Sequence, residues 1–365
     1  MIVKSVTCKL RTNSITADAL ADTMAKFNAA CNALSRQAWD TETFRVFDLH
    51  RLAYHATRAE FGLPAQLTVR ALAKVCDTYK TDRSVMHTFG PRGAVVFDAR
   101  CFKLKGVSSA ELTTTQGRFS FSLAHGGKQR EQLLAGTTGE ADLLFRDGNY
   151  YLSISVKTPD PPRADTSGGV LGVDMGIVEI ATDSGANSYS GEPVKSARIR
   201  LRTHRRQLQS RQTNSAKKRL RRIARKQSRF VRDTNHVISK KIVQTALLAA
   251  KALALETLAG IRERASVMGC TMRWLMGNWA FLDLAAKIAY KAAEVGIPVI
   301  YVDPRNTSRT CSDCGYCDKA NRQSQSRFKC LECGSEFNAD FNAAKNIGTR
   351  AELSTRLLSS VPATG

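Results

Sequence analysis

Two short cysteine turns carry the plainest chemistry in this sequence. Cys311-Ser-Asp-Cys314-Gly315 is followed by Cys330-Leu-Glu-Cys333-Gly334, with fifteen residues between Cys314 and Cys330. Four thiolates in two Cys-x-x-Cys turns close a tetrahedron around Zn²⁺. The glycine after each second cysteine suits a knuckle in which the backbone turns left-handed or passes close to sulfur. All four ligand positions are filled, which leaves no place for a catalytic water. The expectation is therefore one structural zinc per chain. Cys317 forms a competing Cys-x-x-Cys pair with Cys314, but no glycine follows it, and it reads as a spare thiol. Cys8, Cys31, Cys76, Cys101 and Cys270 are scattered and read as ordinary core or surface residues.

Three acids stand out by context. Asp174 ends the apolar run Val-Leu-Gly-Val-Asp, Glu256 ends Ala-Leu-Ala-Leu-Glu, and Asp340 opens a helical pattern in Asn-Ala-Asp-Phe-Asn-Ala-Ala-Lys-Asn. An acid at the end of a buried strand must be paired or metal-bound, because an isolated buried charge is costly. If the three converge they make a hard oxygen site suited to Mg²⁺ or Mn²⁺. Each also has a plainer reading: Asp340 complements a helix dipole, and Glu256 is a strand end at the surface.

These residues need elements to hold them. Ile2 to Leu10 alternates like a strand, and Ile15 to Trp39 has apolar residues near the helical period. Two more helices are expected at about Phe47–Phe61 and Pro64–Tyr79. Strands follow at Ala94–Phe97, Phe119–Leu123, Ala141–Phe145 and Tyr150–Lys157, with Asp147-Gly148 as a hairpin signal between the last two. The pattern is a small β-barrel interrupted by helices. Pro159 to Gly169 is a linker by composition. Beyond it come strands at Val170–Asp174 and Ile177–Thr182, an apolar segment Lys251–Leu255, a helix Trp274–Val295, and a strand Ile297–Val302. The cysteine module spans Thr310 to Phe337. A last helix runs from Ala339 to about Leu353, and Ser354–Gly365 reads as a frayed tail.

Lys and Arg outnumber Asp and Glu by 55 to 32, a net charge of +23. That balance favours a polyanionic partner through charge neutralisation and counterion release. Most of the excess lies in Arg198 to Lys241, which holds 17 Lys/Arg against one acid, Asp233. The run reads as one or two basic helices, whose self-repulsion a nucleic acid would relieve. Arg205, Arg206, Lys217, Lys218, Arg219, Arg221, Arg222, Arg225, Lys226 and Arg229 are its candidate phosphate contacts, joined by Arg322 and Arg327 beside the cysteines. Hydrophobic residues at 43% allow a real core. No apolar stretch is long enough to cross a bilayer, and no leader is evident at Met1–Leu10. Ten cysteines without one point to reduced thiols or a metal site and to an intracellular setting.

The ordered blocks Gly172–Gly176, Leu255–Leu258, Thr307–Gly315, Cys330–Gly334 and Asn338–Ile347 resemble the TnpB family of transposon-encoded proteins, kin to the type V CRISPR effector nucleases. Trp279-Ala280-Phe281 and Tyr290-Lys291-Ala292 fit that family's bridging helix. The resemblance is strong over about 170–350 and weaker before it. It implies an α+β multidomain chain: a wedge β-barrel over 1–158 with a helical recognition insert at about 14–90, and a linker at 159–169. A RuvC-like domain of RNase H fold then runs over 170–309 and 338–353, broken by a zinc-ribbon insert at 310–337 that binds target nucleic acid; 354–365 form the tail.

The implied activity is RNA-guided DNA cleavage. The partners are a guide RNA from the transposon end and double-stranded target DNA, with no membrane. Two Mg²⁺ (or Mn²⁺) ions on Asp174, Glu256 and Asp340 hydrolyse the phosphodiester, next to a short transposon-adjacent motif. Gln66, Arg70 and Lys74 recur at i, i+4 and i+8 on the expected 64–79 helix and are candidates for reading that motif. Three other readings compete. A strand-joining transposase of the histidine-pair type lacks its His-x-His motif here. A non-cutting RNA-guided repressor is opposed by the intact acids. A zinc-ribbon nucleic-acid-binding protein without catalysis leaves the acid blocks unexplained.

Overall fold

In the computed structural model, residues 1–176, 178–258 and 281–359 are described. Ile177, Cys270, the start of the expected helix at Trp274, the Trp279-Ala280 pair and the tail from 360 on lie outside them. The chain forms two units, Met1–Pro159 and Asp160–Gly365.

The first unit is a curled sheet with helices set into it. Strand β1 (Ile2–Arg11) alternates as its sequence does, with Val6, Cys8 and Leu10 buried. It leads into helices α1 (Ser14–Asp40), α2 (Val46–Phe61) and α3 (Ala65–Thr81). Then come β2 (Val95–Phe97), β3 (Phe102–Lys105), β4 (Ser109–Thr114), β5 (Gly117–Ala124), α4 (Gly127–Leu134), β6 (Thr137–Arg146) and β7 (Asn149–Thr158). The strands order as β2-β6-β7-β1-β5-β4-β3. β3 also approaches β6, so the sheet is a near-closed barrel. Asp147 and Gly148 both take positive φ, 49° and 78°, the type I′ geometry that joins β6 to β7 with Arg146 opposite Asn149. One core runs through this unit, from Leu20, Phe27 and Leu34 of α1 through Leu72 and Tyr79 of α3 to Leu143 and Ile154 of the barrel.

The second unit is built on a five-stranded sheet. Its elements are β8 (Val170–Asp174), β9 (Glu179–Asp183), β10 (Ser188–Ser190), α5 (Glu192–Ser210), α6 (Asn214–Leu248), β11 (Ala252–Glu256), α7 (Phe281–Glu294), β12 (Val299–Val302), β13 (Arg327–Lys329), β14 (Glu336–Asn338) and α8 (Ala339–Ser359). The strand order is β10-β9-β8-β11-β12, with β8, β11 and β12 parallel and β9 and β10 antiparallel. This is the RuvC-like region. β8 and β11 are apolar up to their terminal acids because both faces are covered. Leu171, Val173, Leu253 and Leu255 face α6 and α7, whereas Ala254 packs with Ile347 and Ala351 of α8.

Several elements differ from expectation. β3, β4 and α4 were not anticipated: Phe102–Lys105 and Ser109–Thr114 are largely polar, and α4 buries Leu133 alone. The basic run takes one of its two expected forms, a pair of helices, broken at Arg211–Thr213, with Thr213 capping the second through the amide of Ala216. Ser354–Ser359 continues α8 and does not start the expected frayed tail.

Candidate active site

Asp174 and Glu256 end neighbouring parallel strands. β8 and β11 pair from Val170 opposite Ala252 to Val173 opposite Leu255, so the two acids, next in each strand, leave the sheet side by side. Asp340 comes to the same edge on α8, which runs back along β8. At the far end the Glu352 carboxylate accepts the Val170 amide at 3.1 Å. In between, the backbones of helix and strand touch: a Cβ at Gly172 would stand 2.1 Å from the Ala344 carbonyl oxygen and 2.4 Å from the Gly348 amide nitrogen. Glycine at 172 thus lets α8 lie directly on the strand that ends in Asp174. Asn338 caps the helix, its Oδ1 accepting the amides of Asp340 at 2.9 Å and Phe341 at 3.2 Å.

Negative charge is crowded at this edge. Burial, then the negative charges of Glu256 and Asp340, push the Asp174 carboxyl up to about 8, against the pull of Arg322. Burial also raises Asp340, opposed by Arg322, and burial with the charge of Asp340 raises Glu179 on β9. Like charges crowded at one place with hard oxygen donors fit Mg²⁺ or Mn²⁺. Two neighbours order the acids. Arg322 donates from Nη2 to Asp340 at 3.2 Å, and the Thr307 hydroxyl donates to Glu256 at 2.5 Å.

The four expected cysteines come together tightly. The Sγ atoms of Cys311, Cys314, Cys330 and Cys333 all lie within 4.8 Å of one another, with Cys311 to Cys333 at 3.7 Å and Cys314 to Cys330 at 3.5 Å. Sulfurs held at ~2.3 Å in a tetrahedron stand about 3.8 Å apart, so the cluster fits Zn²⁺. Gly315 and Gly334 take φ of 79° and 73°, and their amides bond back to the Cys311 and Cys330 carbonyls. Cys317 is exposed, outside the cluster, in a bridge with Thr310. Among the described residues this is the one group of three or more such ligands gathered so closely; the three carboxylates are set wider.

The ribbon is fastened to the helix that carries Asp340. Asn342 accepts the Ser312 amide at 2.9 Å and donates to the Thr310 carbonyl at 2.9 Å. One turn on, Asn346 donates to the carbonyls of Thr307 at 2.8 Å and Thr310 at 2.7 Å. Thr307 therefore links Glu256 to α8. Inside the ribbon, fully buried Asn321 bonds Arg309, Tyr316 and Leu331. Sequence reasoning assigned no role to Gly172, Thr307, Asn342 or Asn346. The available signal was the i, i+4 repeat of the two asparagines beside Asp340.

The basic candidates separate by setting. Arg206 on α5 and Lys217, Lys218, Arg219, Arg221, Arg222, Arg225, Lys226 and Arg229 on the first half of α6 are exposed, and Arg205 is half-buried. The second half of α6 supplies the core through Ile238, Ile242, Val243 and Ala246. Arg327 pairs with Glu336 at 3.2 Å across the exposed β13–β14 hairpin, away from the acids that Arg322 meets. In the first unit, Gln66, Arg70 and Lys74 do share one face of α3, but each holds a protein partner. Gln66 bonds Asp98, Arg70 pairs with Glu140 at 2.9 Å, and Lys74 donates to the Ala94 carbonyl at 2.6 Å and to Asn28 at 3.2 Å.

Comparisons with known proteins agree with this layout. Residues 281–347 match the family model described as "Cas12f1-like, TNB domain", and 153–259 match the one described as "Probable transposase". The chain is 34% identical over 221 residues to the CRISPR-associated endodeoxyribonuclease Cas12f1 of Sulfoacidibacillus thermotolerans, covering 55% of this chain and 50% of that protein. It is 28% identical over 214 residues to the putative RNA-guided DNA endonuclease InsQ of Escherichia coli K12, covering 55% and 53%. The matches thus span about half the length of these relatives. Among solved structures, a Cas12f1–sgRNA–target DNA complex superposes with a TM-score of 0.63 at 15% identity over 90% of this chain and 82% of that one. This likeness is one of fold. No helix among the described residues is long and apolar enough to cross a membrane.

Proposed function

The chain belongs to the TnpB/Cas12f-like family, relatives of the type V CRISPR effectors, and on that premise we propose that it is an RNA-guided DNA endonuclease. It cuts guide-complementary DNA beside a short adjacent motif, with Asp174, Glu256 and Asp340 as its catalytic carboxylates. The observation that carries this reading is the meeting of three acids at one sheet edge, where Asp174 is held up to about 8 by burial and by its two like-charged neighbours.

Bound at these carboxylates, two Mg²⁺ or Mn²⁺ ions would lower the pKa of an attacking water and stabilise the leaving oxygen. The chain's own residues prepare the rest. Thr307 fixes one oxygen of Glu256, and Arg322 holds a positive charge beside Asp340, where a scissile phosphate would develop negative charge. The exposed cations of α5 and α6 would carry guide or target phosphates, and the 310–337 ribbon would lie against the target strand. The 1–158 barrel with its helices would hold the duplex ahead of the guided segment. Base reading by Gln66, Arg70 or Lys74 would require each to leave the partner it now holds.

The test is a purified complex of chain and guide RNA, offered a plasmid bearing the matched site with a randomised flank. Linearisation that needs both guide and divalent metal is expected. Asp174→Ala, Glu256→Gln and Asp340→Ala should each slow cutting about a thousandfold or more while guided binding persists. Near-normal cutting by one variant removes that residue from the trio. Binding without any cutting by the unaltered chain would make it a guided binder.

A further inference from the structure

Strand β12 ends at Val302, which pairs with Glu256, and the chain then runs through turns from Asp303 to Arg309. This stretch is held more tightly than an ordinary loop. Asn342, Asn346 and Arg350 recur at four-residue intervals and so share one face of α8. Arg350 donates from Nη1 to the carbonyls of Asp303 at 3.0 Å and Arg305 at 2.6 Å, and Asn346 takes those of Thr307 and Thr310. Asn306 holds the bend at a φ of 61°, and its carbonyl accepts the amides of Arg309 and Thr310. Thr307, 3% exposed, is thereby fixed through its backbone to α8, with its hydroxyl 2.5 Å from Glu256 Oε1. The same hydroxyl lies 3.1 Å from the Pro304 carbonyl. Both neighbours are acceptors, so the hydroxyl donates, and its single proton favours the nearer, charged carboxylate.

We propose that Thr307 is a positioning residue that makes the acidic edge select Mg²⁺ over Ca²⁺. A carboxylate that chelates one ion through both oxygens suits the larger, loosely coordinated Ca²⁺. One that offers a single oxygen suits the small, octahedral Mg²⁺. The bond from Thr307 engages Oε1 and opposes a turn of the carboxylate that would bring both oxygens to one ion. The donor cannot follow such a turn, because its backbone is tied by Asn346 to the helix that carries Asp340. Outer partners of this kind orient a ligand and so set what it binds. The inference rests on the proposed metal site at Asp174, Glu256 and Asp340, and it adds a group that chooses among divalent ions.

The test reads ion binding as well as cutting, on the full zinc-loaded chain. The melting temperature is followed against added Mg²⁺ and, separately, against added Ca²⁺, with Asp174→Ala as the check that the response comes from the acids. Thr307→Val keeps the branched shape and removes the donor. Its Mg²⁺ midpoint should rise about tenfold or more, while its Ca²⁺ midpoint should stay or fall. Thr307→Ser keeps the hydroxyl and should keep the ratio of the two midpoints. In guide-directed plasmid cutting at fixed Mg²⁺, the Val variant should be inhibited by about tenfold less Ca²⁺ than the unaltered chain. Unchanged midpoints in the Val variant, or equal shifts of both, would make Thr307 a structural tie of the loop and overturn the proposal. If the Val variant fails to fold, the Ser variant decides: a folded, zinc-loaded Ser variant that loses the preference overturns it as well. An unaltered chain whose melting responds to neither ion would remove the acid site itself, and this proposal with it. A chain that binds Mg²⁺ selectively through Thr307 but cuts nothing would count against the nuclease reading alone.

Discussion

In the zinc ribbon, four ligands arrive from the short stretch Cys311 to Cys333 on two matched knuckles, and their sulfurs already stand at tetrahedral spacing. The acidic edge is assembled from three separate elements, β8, β11 and α8, and its carboxylates repel. One centre is organised by local turns and the other by tertiary packing. The two are also joined, because Asn342 and Asn346 bind the ribbon to α8, and Arg322 of the ribbon meets Asp340. The ribbon should therefore act as a support for the acids, and damage to it should reach them.

The largest effect tests that dependence. Cys330→Ser should lose the zinc, and with it the ribbon, since binding of a structural zinc carries about 10–16 kcal/mol of folding free energy in small domains. Metal analysis should fall from one zinc per chain to none, and cutting should vanish with it. Cys317→Ser should keep one zinc and near-normal cutting. Loss of zinc in that variant would mean that the first cysteine pair is assigned wrongly.

Next in size is the crossing of α8 over β8. A Cβ at Gly172 meets backbone atoms, which cannot rotate aside. Gly172→Ala must lift the helix and should cost about 1–3 kcal/mol. Because the lift moves Asp340 from Asp174, cutting should fall far more than stability does, while zinc content stays at one. A variant that melts lower but cuts normally would separate the crossing from the acids.

The two centres also differ in how far they were legible. The ribbon could be read from spacing because its ligands are close in sequence and its glycines mark the turns. The acids could be picked out by context, as the ends of apolar runs, but their meeting depends on Gly172 and on two asparagines whose partners are Thr307, Thr310 and Ser312. Nothing local in the sequence announces such contacts. The barrel shows the same limit. β1 and β7 carry alternating apolar residues and are legible, whereas β3 is only four residues long and the alternating buried residues of β4, Ala110, Leu112 and Thr114, are mostly small or polar and do not mark a strand. On α3 the periodicity grouped Gln66, Arg70 and Lys74 on one face, but only the fold shows Asp98, Glu140 and Ala94 meeting them there.

Repulsion at the acidic edge gives a smaller, pH-dependent effect. The Asp174 carboxyl titrates near 8 in the folded chain and near 3.9 when unfolded. The folded state therefore holds this proton more firmly, and its stabilising effect is full below about 4 and is lost as pH rises toward 8. In divalent-free buffer the melting temperature should decline across that window, and Asp174→Asn should flatten the decline. Added Mg²⁺ should raise the melting temperature of the unaltered chain most at the alkaline end. An identical pH profile for chain and variant would remove the like-charge account of the site.

The smallest effect in stability, and the finest test of the link between the centres, compares two arginines of the ribbon. Arg327 pairs with Glu336 on an exposed hairpin, and such solvent-screened pairs contribute little. Arg322 reaches Asp340, which is 8% exposed, so its partner is largely out of water. Arg327→Gln should leave the melting temperature and cutting near those of the unaltered chain. Arg322→Gln should also fold and keep its zinc, because the knuckle is held by Asn321 and the cysteines. Its deficit should appear in cutting, with guided binding little changed, since the lost charge lies beside Asp340 and not along the basic helices. Arg322→Lys restores the charge without the fork and should recover part of the rate. Equal cutting by the Arg322 and Arg327 variants would mean that the ribbon supports α8 through its asparagines alone and contributes no charge to the acidic edge.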